Sequence, residues 1–198
     1  IRDIEVVSLT PRLREYWICT LGGGVSVLRA RVSPPTPVTA GDLQWWANYN
    51  TTHGLASDEV WCVAVDPHGR KWFGTGRGVS MLINRGSQDK GDDEWYSYAG
   101  CGAVRAIALD DAGRAWCATE GNGVYVLYFD MNLRQLSLLG RYTTADGLAA
   151  DVVWDVGIEN VPGDAGNVVV KWFATQGGVS RFVGMPSWPT ETPTASAT

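Results

Sequence analysis

The stretch Lys71-Trp-Phe-Gly-Thr-Gly-Arg-Gly-Val-Ser-Met-Leu82 decides the fold. An apolar run reaches Thr75, a glycine-rich turn follows, and a second apolar run begins at Val79, which is the pattern of strand, hairpin and strand. The phrase recurs. Residues 16–28 read Tyr-Trp-Ile-Cys-Thr-Leu-Gly-Gly-Gly-Val-Ser-Val-Leu, residues 115–127 read Ala-Trp-Cys-Ala-Thr-Glu-Gly-Asn-Gly-Val-Tyr-Val-Leu, and residues 171–182 read Lys-Trp-Phe-Ala-Thr-Gln-Gly-Gly-Val-Ser-Arg-Phe. The tryptophans Trp17, Trp72, Trp116 and Trp172 stand 55, 44 and 56 residues apart, each three residues before a threonine (Thr20, Thr75, Thr119, Thr175). Self-similarity at such a period marks a repeat architecture.

The neighbouring segments repeat too. Upstream, Val60–Val65 runs into Asp66-Pro-His-Gly69 and Val104–Leu109 into Asp110-Asp-Ala-Gly113, both with the Asp-first, Gly-last signature of a type I turn. Val153–Ile158 precedes an insertion at 159–167, and Ile4–Leu9 reaches Trp17 through a less regular loop. Downstream lie Leu43–Tyr49, Glu94–Tyr98 and Leu136–Tyr142, and two of these enter matching connectors, residues 49–55 and 142–148. The unit is therefore four short antiparallel strands, and no stretch has the period of a helix. One such sheet cannot cover both of its apolar faces; side-by-side packing around an axis covers both. The sequence predicts an all-β chain, a β-propeller of four four-stranded antiparallel blades at about 1–49, 60–98, 104–142 and 153–183, the last possessing three clear strands. Both a four-bladed ring and an arc of a larger propeller satisfy the pattern. Residues 184–198, rich in Pro, Thr and Ser, read as a linker or tail.

Composition narrows the function. The net charge of -5 argues against nucleic acid, whose phosphates need clustered cations, and no apolar run is long enough to span a bilayer as a helix. Cys19, Cys62, Cys101 and Cys117 form no Cys-x-x-Cys pair, and with two histidines in the chain neither a metal site nor a cofactor is expected. The cysteines read as buried thiols, with Cys101, in a glycine-flanked turn, the most accessible.

Read in order, Tyr-x-x-x-x-Gly-Leu (49–55), Asp-x-Val-Trp (58–61), Asp-x-x-Gly-Arg-x-Trp (66–72) and Thr-x-x-Gly-Val-Ser (75–80) resemble the two-component regulator propeller repeat. The resemblance covers about residues 1–183. It implies an exported bacterial module, extracellular or periplasmic, of the kind found in sensor ectodomains. Members of that family usually have more blades, commonly seven, so four copies here are a departure, and the ring either closes on itself or is completed by another copy or by further chain.

No nucleophile elbow or calcium loop is present. Candidate site residues therefore come from one rim, where the hairpin tips and the connectors meet. The tips carry Arg77, Glu120, Asn122 and Gln176; the connectors and the strands they enter carry His53, Asp58, Glu59, Trp61, Arg105, Asp146, Asp151 and Trp154. Aromatic rings beside mixed polar groups suit a saccharide or protein ligand. The leading expectation is a noncatalytic recognition module. The alternatives are a surface-assembly or filament protein, and a polysaccharide lyase or hydrolase with acids at Asp58, Glu59 or Asp151.

Overall fold

Each Trp-x-x-Thr phrase forms the second strand of its own antiparallel sheet in the computed structural model, which describes residues 1–33, 38–84, 89–162 and 168–184. The first sheet is β1 (Asp3–Thr10), β2 (Leu13–Cys19), β3 (Val25–Arg31) and β4 (Leu43–Tyr49). The second is β5 (Val60–Val65), β6 (Lys71–Thr75), β7 (Gly78–Ile83) and β8 (Glu94–Tyr98). The third is β9 (Val104–Leu109), β10 (Ala115–Thr119), β11 (Val124–Asp130) and β12 (Gln135–Tyr142). The fourth, β13 (Val153–Val161), β14 (Val168–Thr175) and β15 (Gly178–Val183), has three strands among the described residues. Helix is confined there to four 3-10 turns of three residues. The tail expected at 184–198 lies outside the described residues, except Gly184.

The sheets fan side by side as propeller blades. Their inner strands pack in the order β1, β5, β9, β13. Three apolar layers fill the gaps: Trp17, Val27 and Tyr49 against Val63 and Phe73; Trp72 and Met81 against Cys117 and Leu127; Trp116 and Val126 against Val156 and Phe173. Each buried tryptophan removes about 200 Å² of largely apolar surface from water, an upper bound of about 5 kcal/mol at ~25 cal/mol/Å².

Among the described residues nothing of comparable extent joins the fourth sheet back to the first. Trp17, Trp72 and Trp116 are at most 1% exposed, whereas Trp172 is 40% exposed. At the other end Ile4, Val6, Leu43 and Trp46 are exposed on the first sheet. Of the two arrangements left open by the repeat, the described residues form the arc.

The recurrent polar residues hold the blades. Asp66 Oδ1 accepts the backbone N–H of His68 and Arg70, while its Oδ2 takes the Arg70 guanidinium and Trp72 Nε1 (3.1 Å). Asp110 repeats this with Ala112, Arg114 and Trp116. One buried carboxylate thus satisfies four donors, which is the physical content of Asp-x-x-Gly-Arg-x-Trp. The first blade lacks that turn and uses Glu15, which takes Trp17 Nε1 at 2.9 Å and Arg29 at 2.8 Å. The threonine hydroxyls each donate to a glycine carbonyl across the hairpin (Thr20 to Gly24, Thr75 to Gly78, Thr119 to Gly123, Thr175 to Gly178; 2.6–2.9 Å). Ser80 and Ser180 accept the N–H of Ala56 and Ala149, tying connectors to blades.

Three expectations are corrected. The first blade's irregular loop is a tight hairpin, with Thr10 opposite Leu13 and a bulge absorbing the extra residue. Part of the insertion after Ile158 lengthens the β13–β14 pair, and this extension supplies Glu159, which accepts Trp172 Nε1 at 3.0 Å. Cys101 is fully buried, because its turn tucks beneath the β10–β11 hairpin, where Asn122 Nδ2 donates to its carbonyl. All four cysteines are free thiols.

Candidate functional site

The inner strands begin alike. Val60 pairs with Thr75 and Cys62 with Gly74, so Trp61 is the extra residue of a β-bulge. The same shift makes Arg105 extra in β9 and Trp154 extra in β13. A bulge re-aims the side chain it releases. In the first blade Asp3 pairs with Cys19, the counterpart of Gly74, so Arg2 holds the equivalent place. Around the axis the four positions read Arg2, Trp61, Arg105, Trp154.

The first three are in contact. The Arg2 guanidinium carbon lies 4.3 Å, and that of Arg105 3.7 Å, from the centre of the Trp61 ring, one cation from each flanking blade. Both separations fall within cation–π range. Arg105 also pairs with Glu120 at the β10–β11 tip. Arg2 forms no ion pair among the described residues. Trp61 Nε1 and Arg105 Nε are buried without a hydrogen-bond partner. Trp154, at the far end, is 48% exposed.

Hairpin tips and connectors are knit into one rim by backbone bonds. Gly24 N–H reaches Asp58 O (2.9 Å), Gly76 N–H reaches Glu59 O (2.9 Å), Gly123 N–H reaches Asp151 O (2.8 Å) and Gln176 N–H reaches Val152 O (2.9 Å). Several sequence candidates belong to this framework. Asp58 accepts Thr51 N–H and Asp151 accepts Thr144 N–H, both at 2.6 Å. Asp146 caps its 3-10 turn by accepting Thr143 N–H (2.9 Å) and the Thr143 hydroxyl (3.0 Å). His53 holds the matching place in the other connector. Its Nδ1 meets Asn50 Oδ1 at 2.8 Å and its Nε2 lies 3.3 Å from Lys90 Nζ, so both ring nitrogens are engaged. Asn122 is held by the Cys101 carbonyl.

Three further candidates point outward. Arg77 and Gln176 are exposed at their tips, with side chains free of partners among the described residues. Glu59 lies against the Gly76 backbone, where a Cβ on that glycine would come within 2.6 Å of its carboxylate oxygen, and forms no ion pair among the described residues. The structure therefore gathers Trp61, Arg105 and Glu120 in one stack, leaves Arg77, Gln176, Glu59 and Trp154 open on the same rim, and spends the remaining acids on backbone. Among the described residues no three His, Cys, Asp or Glu side chains gather as metal ligands would. Arg2 escaped the sequence reading. Its signal was register with the Trp-x-x-Thr strand, hidden because the first hairpins of the four blades differ in length.

One cavity, about 600 Å³, lies away from the stack, at the far ends of β1–β3 between Thr10, Arg12, Leu13, Arg29, Arg31, Ser33 and Gln44. A second, about 420 Å³, is the uncovered face of the fourth blade, lined by Asp155, Val156, Gly157, Trp172, Ala174 and Val179.

No family model and no curated protein matches the chain. Solved structures do resemble it. PorZ, an essential bacterial surface component of the type-IX secretion system of Porphyromonas gingivalis, aligns with TM-score 0.64 at 19% identity over 89% of this chain and 25% of PorZ. Virginiamycin B lyase from Staphylococcus aureus aligns with TM-score 0.49 at 13% identity, over 94% of this chain and 56% of the lyase. The extracellular domain of a hybrid two-component system from B. thetaiotaomicron aligns with TM-score 0.37 at 22% identity, over 92% of this chain and 29% of that one. The chain thus spans between about a quarter and just over half of these proteins. Likeness at such identity speaks to architecture alone.

Proposed function

We propose that the chain is a noncatalytic recognition segment of an exported bacterial β-propeller, binding a carbohydrate-like ligand where its inner strands open onto the rim. One observation carries this reading: Trp154, released by its bulge, exposes its indole at the rim, on the blade whose tip bears the free amide of Gln176. A flat aromatic face packs against the C–H face of a sugar ring, and an amide both donates to and accepts from hydroxyls. The acids proposed for a lyase or hydrolase support catalysis poorly, since Asp58 and Asp151 are spent on backbone N–H groups of two different connectors. Export is supported by the resemblance to the two-component regulator propeller repeat and by the fold shared with a bacterial surface component. Titration of tryptophan fluorescence with neutral and acidic oligosaccharides tests the reading. Saturable quenching that disappears in Trp154→Ala is expected; no response to any saccharide would overturn it.

The uncovered end faces favour a second reading of the assembly. Trp172 and Val179 at one end, and Ile4 and Trp46 at the other, leave two apolar sheet faces in water, beyond what isolated surface residues would leave. We infer that further blades, from a second copy or from chain outside residues 1–198, cover them. Sedimentation at increasing concentration separates the two sources: a second copy gives a dimer and further chain leaves a monomer. The inference of covered faces is rejected if the full-length protein still shows Trp172 open to a soluble quencher.

A further inference from the structure

We propose that the Arg2–Trp61–Arg105 stack is the acid-reading part of this rim, and that the ligand is a carboxylate-bearing oligosaccharide. The inference rests on the saccharide reading above and adds its charge. The unmet groups at the stack are all donors. Among the described residues Arg2 has no carboxylate partner, and Trp61 Nε1 and Arg105 Nε are buried without an acceptor. Arg77, at the tip of the same blade as Trp61, is a further cation without a partner among the described residues. A buried unsatisfied donor is costly, and native proteins keep few of them. A carboxylate-bearing ligand meets the exposed Arg2 and Arg77 guanidiniums best, because guanidinium–carboxylate hydrogen bonds are charge-assisted and geometrically matched.

The rim's acids do not cancel this. Glu120 is committed to Arg105, Asp58, Asp146 and Asp151 are committed to backbone N–H groups, and Glu59 is the one left open. The indole between the two arginines is a rigid spacer. It keeps two like charges apart and fixes their orientation, so neither must be ordered when ligand arrives. A net charge of -5 makes the whole protein repel anions, so the stack supplies local selectivity and long-range attraction contributes little.

A saccharide fits better than an acidic peptide because Trp154, the next bulge position in the series, is half-exposed, and Gln176 offers an exposed neutral amide on the same blade. The test is calorimetric titration of the whole chain with trigalacturonate, the neutral trisaccharide cellotriose, and a hexaglutamate peptide, at low and high salt. Trigalacturonate is expected to bind at least tenfold more tightly than cellotriose, to weaken several-fold at 0.5 M salt (where the screening length falls to about 4 Å), and to lose about tenfold affinity in Arg2→Ala. Arg2 is exposed and its loss spares the core, so a normal melting curve separates lost recognition from lost fold. Trp154→Ala should weaken both sugars. Equal binding of the two trisaccharides, or an unchanged affinity in Arg2→Ala, overturns the acidic assignment while leaving the saccharide reading standing. Preference for hexaglutamate, or no binding of either sugar, overturns both.

Discussion

Truncating one carboxylate should cost this arc a large part of its stability. Asp110 is 4% exposed and its partner Arg114 2% exposed, with the ion pair at 2.7 Å. In Asp110→Ala the buried Arg114 guanidinium loses this carboxylate, Trp116 Nε1 loses its acceptor, and two turn N–H groups lose theirs. Breaking a buried pair from one side costs about 3–5 kcal/mol. The orphaned indole and turn donors do not add in full, because the turn relaxes toward water, and we expect about 4 kcal/mol in total. That is a third or more of the roughly 5–15 kcal/mol typical of a folded domain. Asp110→Asn keeps an acceptor for the turn and should lose about half as much, in the range of ~1.5–3 kcal/mol for a hydrogen bond to a charged group. The neighbouring Asp111 is exposed and touches Asn160 at 3.3 Å, so Asp111→Ala should change stability by less than about 0.5 kcal/mol. Urea denaturation followed by tryptophan fluorescence and circular dichroism gives all three values. A loss under about 1.5 kcal/mol in Asp110→Ala, or an equal loss in Asp111→Ala, would refute the view that this carboxylate organises the blade.

Other outcomes follow from the same geometry. Gly123 has φ 78° and a Cβ there would stand 2.0 Å from the Tyr142 carbonyl oxygen, whereas Gly178 has φ 127° with nothing within 4 Å. Gly123→Ala should therefore melt well below Gly178→Ala, the difference exceeding the ~1–3 kcal/mol of backbone strain that both share; equal melting points would contradict the close approach. Burial pushes the Cys62 thiol up to about 12 and Cys101 to about 11, and raises Cys19 and Cys117 as well. The unfolded chain releases these protons near 9 while the folded chain keeps them, so their contribution is complete below pH 9 and is lost as pH climbs through the folded values, by up to ~1.4 kcal/mol per thiol per pH unit. Buried Lys71 and Lys171, lowered by desolvation, act in the opposite sense over the alkaline range, but they are fewer. Melting points in reductant should fall from pH 9 to 11; a rise would show that the lysines dominate. Arg134 pairs with Glu94 at the surface with its own side chain 57% exposed, and Arg134→Ala should cost less than about 1 kcal/mol by urea titration.

The blades were legible in the sequence because each is a local device. The Trp-x-x-Thr strand, the glycine turn and the Asp-x-x-Gly-Arg-x-Trp turn close their hydrogen bonds within a few residues, so their spelling recurs wherever the structure does. Ring or arc was not legible, since that depends on which side of Trp172 meets another sheet, and Trp172 is spelled like its three buried counterparts. The rim was half legible. His53 and Asp146 occupy matching slots, and the match itself signals shared capping, a framework task. Trp61, Arg105 and Trp154 were visible as differences at one aligned place, but Arg2 was not. Its equivalence rests on strand register, which hairpins of unequal length disguise. Cys101 was misjudged because glycines around a residue describe its backbone and say little about what lies over it.

In each joint the indole of one blade is sealed by the next, and two of the seals include a lysine: Lys71 Nζ sits 5.1 Å from the Trp17 ring and Lys171 Nζ 4.8 Å from the Trp116 ring. Nearest-neighbour coupling of this kind makes the array behave like a row of dominoes, each held upright by the one beside it. Within residues 1–198 the first and fourth blades each have a supporter on one side alone, and the fourth has three strands among the described residues, so in this segment amide exchange should be fastest in β15 and slow progressively toward the second and third sheets. Fraying from that end is the expected first step of unfolding.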